Sequence, residues 1–319
     1  MLFGGFAEAA GGNNCDPGKE WVVELAGDAV PAMRAVFNIM HGQSRGLMAV
    51  DVDSNTFISR LYDIVVVADK YDCISSLRPY AASWVQSLKA ENKDEQALLR
   101  LSWIFYQLGH KSKYEDVVTR LIKDVADTKT GNPVADLDLP AVLPPHLLES
   151  LHAVRERMLR QLLDPISFSV TALITGERTT STGCSRDDKL AAQCESYMLG
   201  KALRELHKKN LYPVPTAKDM TLSLTALDAV ITELAAACSG PRFLDYHGTC
   251  RAFKPPLRTF GVEWGCRNLK RTTYATEYKY TVDVSELRHI TTQAGRTGVD
   301  IFGPAELLAS HKAPFFGAS

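Results

Sequence analysis

Leu61-Tyr62-Asp63-Ile64-Val65-Val66-Val67-Ala68-Asp69-Lys70-Tyr71-Asp72-Cys73 is the stretch on which the reading of this chain turns. Its apolar residues Leu61, Ile64, Val65, Ala68 and Tyr71 recur at three- and four-residue intervals, the period of one helix face. Ser54 stands where a helix N-cap belongs, and Asp72-Cys73 breaks the pattern at the other end. Downstream, Ile74, Leu77, Ala81, Trp84, Val85 and Leu88 form a second stripe. Two more helices are predicted, one from Ala97 to Leu108, stopped by Gly109, and one from Tyr114 to Val125. Upstream, Met33, Val36, Phe37 and Met40 mark a helix face that ends at His41-Gly42. The short β-prone run from Trp21 to Leu25 reads as a strand, and residues 9–19 as a loop.

The second half is less regular. Residues 127–146 are rich in Pro and Asp and read as a linker, followed by a helix from Leu147 to Leu163. A Thr-, Ser- and Gly-rich flexible loop is expected up to residue 188, then helices from Cys194 to Leu206 and from Ser223 to Ala237. Beyond about residue 267 the polar sequence has no sustained helical period; Tyr278 to Val284 alternates weakly, and poor order is expected. The fold class expected is α+β, predominantly helical. The divisions are 1–90, a helical extension over 91–165, a loop over 166–188, a helical region over 189–266 and a tail over 267–319.

Composition narrows the functional classes. With 319 residues the chain can bury a sizeable core, and a formal net charge of −1 argues against nucleic-acid or membrane-surface binding, both of which favour a basic excess. Seven scattered cysteines, an odd number, suit reduced thiols in a cytoplasmic or nuclear protein better than a disulfide scaffold. Met1 to Ala10 lacks the basic start of a signal peptide, and no uninterrupted apolar run reaches membrane-spanning length.

Three segments together resemble a known family. Met1-Leu2-Phe3-Gly4-Gly5-Phe6-Ala7-Glu8 resembles a helix end and turn of BTB/POZ domains, and residues Ala32 to Gly42 resemble the helix that follows. Residues Leu61 to Cys73 resemble the most recognisable stretch of the family, and Leu77 to Trp84 continues it in the form seen in filamentous fungi. The resemblance covers residues 1–90, with weaker likeness at 94–163, Cys194–Gly200 and Asp245–Cys250. It implies a non-catalytic, adaptor-like protein that binds protein partners through the helices between about 30 and 90, where Arg34 and Arg60 are candidate contact residues. The strands and helices that open a BTB domain are missing ahead of Met1, so the resemblance implies a domain without its front and leaves BTB-type homodimerisation without its usual surface. Two expectations follow. About 40 to 70 further residues of strand and helix are expected upstream. The face of Leu61, Ile64, Val65 and Ala68 is expected to lack packing partners, leaving the chain marginally stable, with no cooperative melting above about 65 °C.

The residues that carry chemistry elsewhere are sparse. Gly4-Gly5 and Gly11-Gly12 make no phosphate loop, and neither a Gly-x-Ser-x-Gly elbow nor a His-Glu-x-x-His motif occurs. Asp51-Val52-Asp53-Ser54-Asn55 begins like a calcium loop but lacks the Gly and closing Glu that such a loop requires. Cys184, Cys194, His247 and Cys250 are the best zinc candidates, yet no Cys-x-x-Cys knuckle supports them. Cys73 and Cys194 lie at helix ends without a positioned His partner, so no catalytic thiol is assigned. Asp69, Lys70, Asp72 and Cys73 read as a capped helix junction, with Lys70 suited to the negative end of the helix dipole. Trp84, Trp103 and Phe105 fall on helical stripes and read as core. No catalytic, cofactor-binding or metal-binding residue is assigned and no cofactor is expected. The alternatives are a zinc-stabilised regulatory module and an inactive fragment from a misassigned start.

Overall fold

The computed structural model describes residues 25, 27–43, 54–124, 140–176, 184, 190–237 and 278–301. Among these residues there are helices and no strands. The strand expected at Trp21–Leu25 lies almost wholly outside the described residues, and Leu25 itself is not in a strand. The α+β label therefore has no described strand behind it, and the helical part of the expectation holds. The chain divides into two compact units.

The first unit comprises Met1–Val118, Pro140–Pro145 and Tyr280–Ser319. Helix α1 spans Val30–Met40, with Pro31 in its first turn, where the missing N–H costs nothing. Its buried stripe is Ala32, Met33, Val36 and Ile39. Phe37 and Met40, expected on the inner face, are 39% and 52% exposed. An eleven-residue helix has room for one buried stripe, and Ala32 and Ile39 complete it instead. Helix α2 spans Asn55–Lys70, and Ser54 Oγ accepts the Phe57 amide at 3.1 Å, the expected cap. Leu61, Ile64, Val65 and Ala68 are all buried, because α1 packs on one side of α2 and helix α4 on another. The expectation that this face lacks partners is overturned, and with it the argument for marginal stability. Tyr62 fixes the 140–145 segment, its hydroxyl accepting from Val142 N at 2.7 Å and donating to Val142 O at 2.8 Å.

After Tyr71 the chain turns at Asp72, which takes a left-handed φ of 53°. A single 3-10 turn, Ile74–Leu77, leads into α3, Arg78–Ser87. The stripe from Ile74 to Leu88 is buried as expected, although its first part is this tighter turn. Helix α4, Glu95–Leu108, starts on an Asp94 cap whose Oδ1 accepts the Ala97 amide at 2.7 Å. From Ala97 to Leu108 every residue but Arg100 is buried, so α4 is an all-round core helix. Gly109 ends it at φ 85°, a conformation that favours glycine. Helix α5 follows at Lys111–Asp124, with Tyr114, Val117 and Val118 buried.

The second unit comprises Thr119–Leu139 and His146–Lys279. Helix α6 spans Leu147–Thr175, twelve residues beyond the Leu163 end expected for it, with Pro165 inside. The first ten residues of the expected 166–188 loop are therefore helix. Pro165 removes one backbone hydrogen bond, but Ile166, Val170 and Leu173 continue the stripe of Leu159 and Leu162, and their burial outweighs the loss. Helices α7, Ala191–Lys208, and α8, Leu224–Ala237, pack on α6 and on each other. Arg155, 5% exposed, donates from Nη2 to Leu222 O at 2.8 Å.

The largest correction concerns the tail. Residues 278–283 form no strand, and a helix, α9, spans Val284–Thr297. It packs in the first unit against α4, α3 and the 3-10 turn. Its buried residues Glu286, Ile290, Gln293, Ala294 and Thr297 keep the helical period, but three of the five are polar, so hydrophobicity does not announce it. The boundary expected at 90–91 falls within this first unit.

Replacing Leu61 with Ala is expected to lower stability by about 2–5 kcal/mol, the usual cost of a core cavity. Arg34→Glu, on an exposed helix face, should change it by no more than about 0.5 kcal/mol. Denaturant melts of the two variants check both values, and a tolerated Leu61→Ala would return the α2 face to the unpartnered state expected from sequence.

Candidate functional site

The corner from Asp69 to Cys73 is a junction, as its sequence suggested. Lys70 Nζ lies 2.9 and 3.0 Å from the two Asp28 carboxylate oxygens, and the Tyr71 hydroxyl donates to Asp28 Oδ2 at 2.5 Å. Burial pushes the Asp28 carboxyl up, but the hydrogen bonds from Tyr71 and Lys70 outweigh it and hold it below the usual range. Asp72 Oδ1 pairs with Arg296 Nη2 at 2.5 Å, tying the corner to α9. Burial raises the Asp69 carboxyl, with Arg296 opposing. Burial also raises the Cys73 thiol, which donates to Tyr71 O at 3.2 Å. A raised thiol is less ionised at neutral pH, and the contacts of these groups cap and join helices.

A second cluster lies where α9 meets α4 and α5, and it was not anticipated from the sequence. The Glu286 carboxylate accepts three hydrogen bonds. Tyr114 OH reaches Oε1 at 2.8 Å, while Tyr280 OH and the Asp283 amide reach Oε2 at 2.8 and 2.9 Å. Burial and then the Glu286 charge push the Tyr114 phenol far up, so it stays a neutral donor. Burial, with the charges of Glu286, Asp283 and Asp69, pushes Tyr106 up to about 12. Gln107 Oε1 accepts from Gln293 Nε2 at 2.9 Å and faces His289 Nε2 at 3.2 Å. The His289 ring stacks on Tyr106 with centroids 4.1 Å apart and planes 8° from parallel. Burial and the nearby Arg296 charge hold the His289 imidazole below its ordinary value. Thr297 Oγ1 donates to Leu108 O at 2.8 Å, and the Val282 amide to Glu115 Oε1 at 3.1 Å. This is a network that holds a helix in place. The signal that reveals it in the sequence is Asp283-x-x-Glu286, a capping box ahead of Ile290 and Ala294.

The remaining candidates separate cleanly. Trp84, Trp103 and Phe105 are core residues, as expected. Arg34 and Arg60 are both exposed. On the outer side of α1, Val30, Phe37 and Met40 are 67%, 39% and 52% exposed, with Arg34 among them. Cys194 is fully buried in α7, and the Cys184 amide donates to Glu195 Oε1 at 3.0 Å. His247 and Cys250 lie outside the described residues. Among the described residues, no group of three or more His, Cys, Asp or Glu side chains is placed to hold a metal ion, and no helix is long and apolar enough to cross a membrane. Comparison with protein-family models, with curated proteins and with solved structures found no match to the chain.

Two outcomes are expected. His289 binds its proton less readily in the folded chain than in the unfolded one. Its contribution to stability is therefore fully present above about pH 6.5 and is lost as the pH falls from there toward the lowered folded-state value. Thermal melts from pH 7.5 to 5 should show a loss that His289→Gln reduces. The difference between the two proteins isolates the imidazole from Asp63 and Asp69, whose raised values act in the opposite direction at lower pH. Matching pH profiles would show that His289 plays no such part. From the absence of Cys-x-x-Cys pairs in the sequence, elemental analysis of the purified chain should find well under one zinc per protein, and a stoichiometric zinc lost on Cys194→Ala or His247→Ala would contradict this.

Proposed function

We propose that this chain is a non-catalytic, adaptor-like protein that works by binding other proteins, and that the contact is made by the helices between residues 30 and 90. The observation that carries the reading is the outward row of α1. Val30, Phe37 and Met40 stand exposed beside Arg34, on a helix whose opposite stripe is fixed in the core. Aromatic, Met and Arg side chains are the types enriched where proteins meet, and a rigid helix presents them at low entropic cost. The BTB/POZ resemblance of residues 1–90 favours the same assignment and rests on the quoted residues alone. An intracellular location, cytoplasmic or nuclear, belongs to this reading, and homodimerisation is not part of it.

The test is affinity purification of the full-length chain from its native cell, compared with Phe37→Asp, Arg34→Glu and Arg60→Glu. Deleting residues 1–90 is not a clean alternative, because it strips α2 and α3 from α4. The wild type is expected to recover specific proteins. Phe37→Asp should weaken capture by about 2 kcal/mol or more, as for a central anchor, and the Arg variants by less. Melting temperatures should stay within a few degrees of wild type. Recovery of the same proteins at the same yield by all three variants would remove α1 as the binding element.

A further inference from the structure

α9 lies in a groove walled by the 3-10 turn, α3 and α4, and the face it presents there is unusually polar for a core helix. Its buried residues are Glu286, Gln293 and Thr297 beside Ile290 and Ala294. α2, by contrast, buries eight residues, all aliphatic or aromatic. Burial of apolar surface has no substitute in water, whereas a hydrogen bond broken inside the protein is largely replaced by one to solvent or to another polar group. The hold on α9 is thus mostly of the exchangeable kind. The helix also carries its own stop and start signals: a capping box of Asp283 and Glu286 at one end and Gly298 at φ 70° at the other. Both ends of the helix are thus closed by residues of its own segment.

The groove reads three successive turns of its occupant. Tyr114 OH meets a carboxylate at 2.8 Å. Four residues on, Ile290 is completely buried. Four further on, the backbone comes so close at Ala294 that a Cβ on Gly109 would lie 2.2 Å from the Ala294 nitrogen, which leaves room for a small residue only. We propose that this groove is a helix-binding site occupied in cis by α9, and that it accepts in its place a partner helix of the same chemistry: a carboxylate, a branched aliphatic residue four positions later and a small residue four after that. The site uses none of the residues on the outer face of α1, so it stands or falls separately from the adaptor reading.

The experiment has two parts, both on the full chain. Amide hydrogen exchange should show α9 opening at least tenfold more often than α2 and α4. A fluorescent peptide of residues 279–300 then serves as the probe. It should bind wild type weakly, and bind Ile290→Asp, whose own α9 is displaced, at least tenfold more tightly, because the competing occupant is gone. Peptides carrying Glu286→Ala or Ala294→Leu should lose at least tenfold. If Ile290→Asp does not fold, Arg296→Gln, which removes the surface ion pair with Asp72, decides the matter with a smaller gain of the same sign. Equal protection of α9, α2 and α4, or no peptide binding to a variant whose α2 and α4 amides remain protected, would overturn the proposal.

Discussion

Eleven of the fourteen residues of α4 are buried, and the first unit is organised around covering them. A helix that is apolar all round needs a neighbour on every side, since each bare large side chain forgoes about 1.5–3 kcal/mol. α2 covers one side, α3 touches another, and α9 is brought back from residue 284 to close the remainder. Leu61, Ile64, Val65 and Ala68 are buried by the same arrangement from the opposite direction. The corner at Asp72 joins the two sides, because Arg296 of α9 pairs with it.

The two halves of this covering differ in kind. Between α2 and α4 the contact is aliphatic and aromatic. Between α9 and α4 it is a set of directed hydrogen bonds: Tyr114 to Glu286, Gln293 to Gln107, Thr297 to the Leu108 carbonyl. Apolar contact supplies stability with little regard to angle, while hydrogen bonds between buried groups set one register and penalise any other. Gly109 sharpens this, since only a residue without a Cβ permits the backbone of α9 to lie so close.

The same division decides what was legible in the sequence. The helices from α1 to α5 follow from apolar periodicity, and the Ser54 cap and the Gly109 stop are visible as residue types in their proper places. The face of α1 was misread because Phe37 and Met40 satisfy the spacing as well as Ile39 does, and only the neighbours choose between them. The extension of α6 past Pro165 was masked by a local signal that a long apolar stripe overrides. α9 escapes such a reading because three of its five inward residues are Glu, Gln and Thr, which no hydropathy rule places inside. Its local cues are the capping box and Gly298. The seam network was invisible for a related reason: Tyr114 and Glu286 are 172 positions apart, and nothing in either neighbourhood names the other.

Glu286 has two duties that bear on how the chain is made. The same carboxylate closes the capping box with the Asp283 amide and receives Tyr114 from α5. The carboxylate that caps α9 is thus also the one that docks it, and docking waits until the residues of α9 have been made. On a ribosome adding about 5–20 residues per second, the interval between completing α5 and completing α9 is roughly 10–30 s. Throughout that time α4 can have its α2 side covered while its α9 side is bare, and most of the second unit is synthesised in between. The nascent chain thus presents a half-finished first unit to the cell's folding assistants, and the order of synthesis, rather than final stability, sets when that surface is most open to aggregation or to capture.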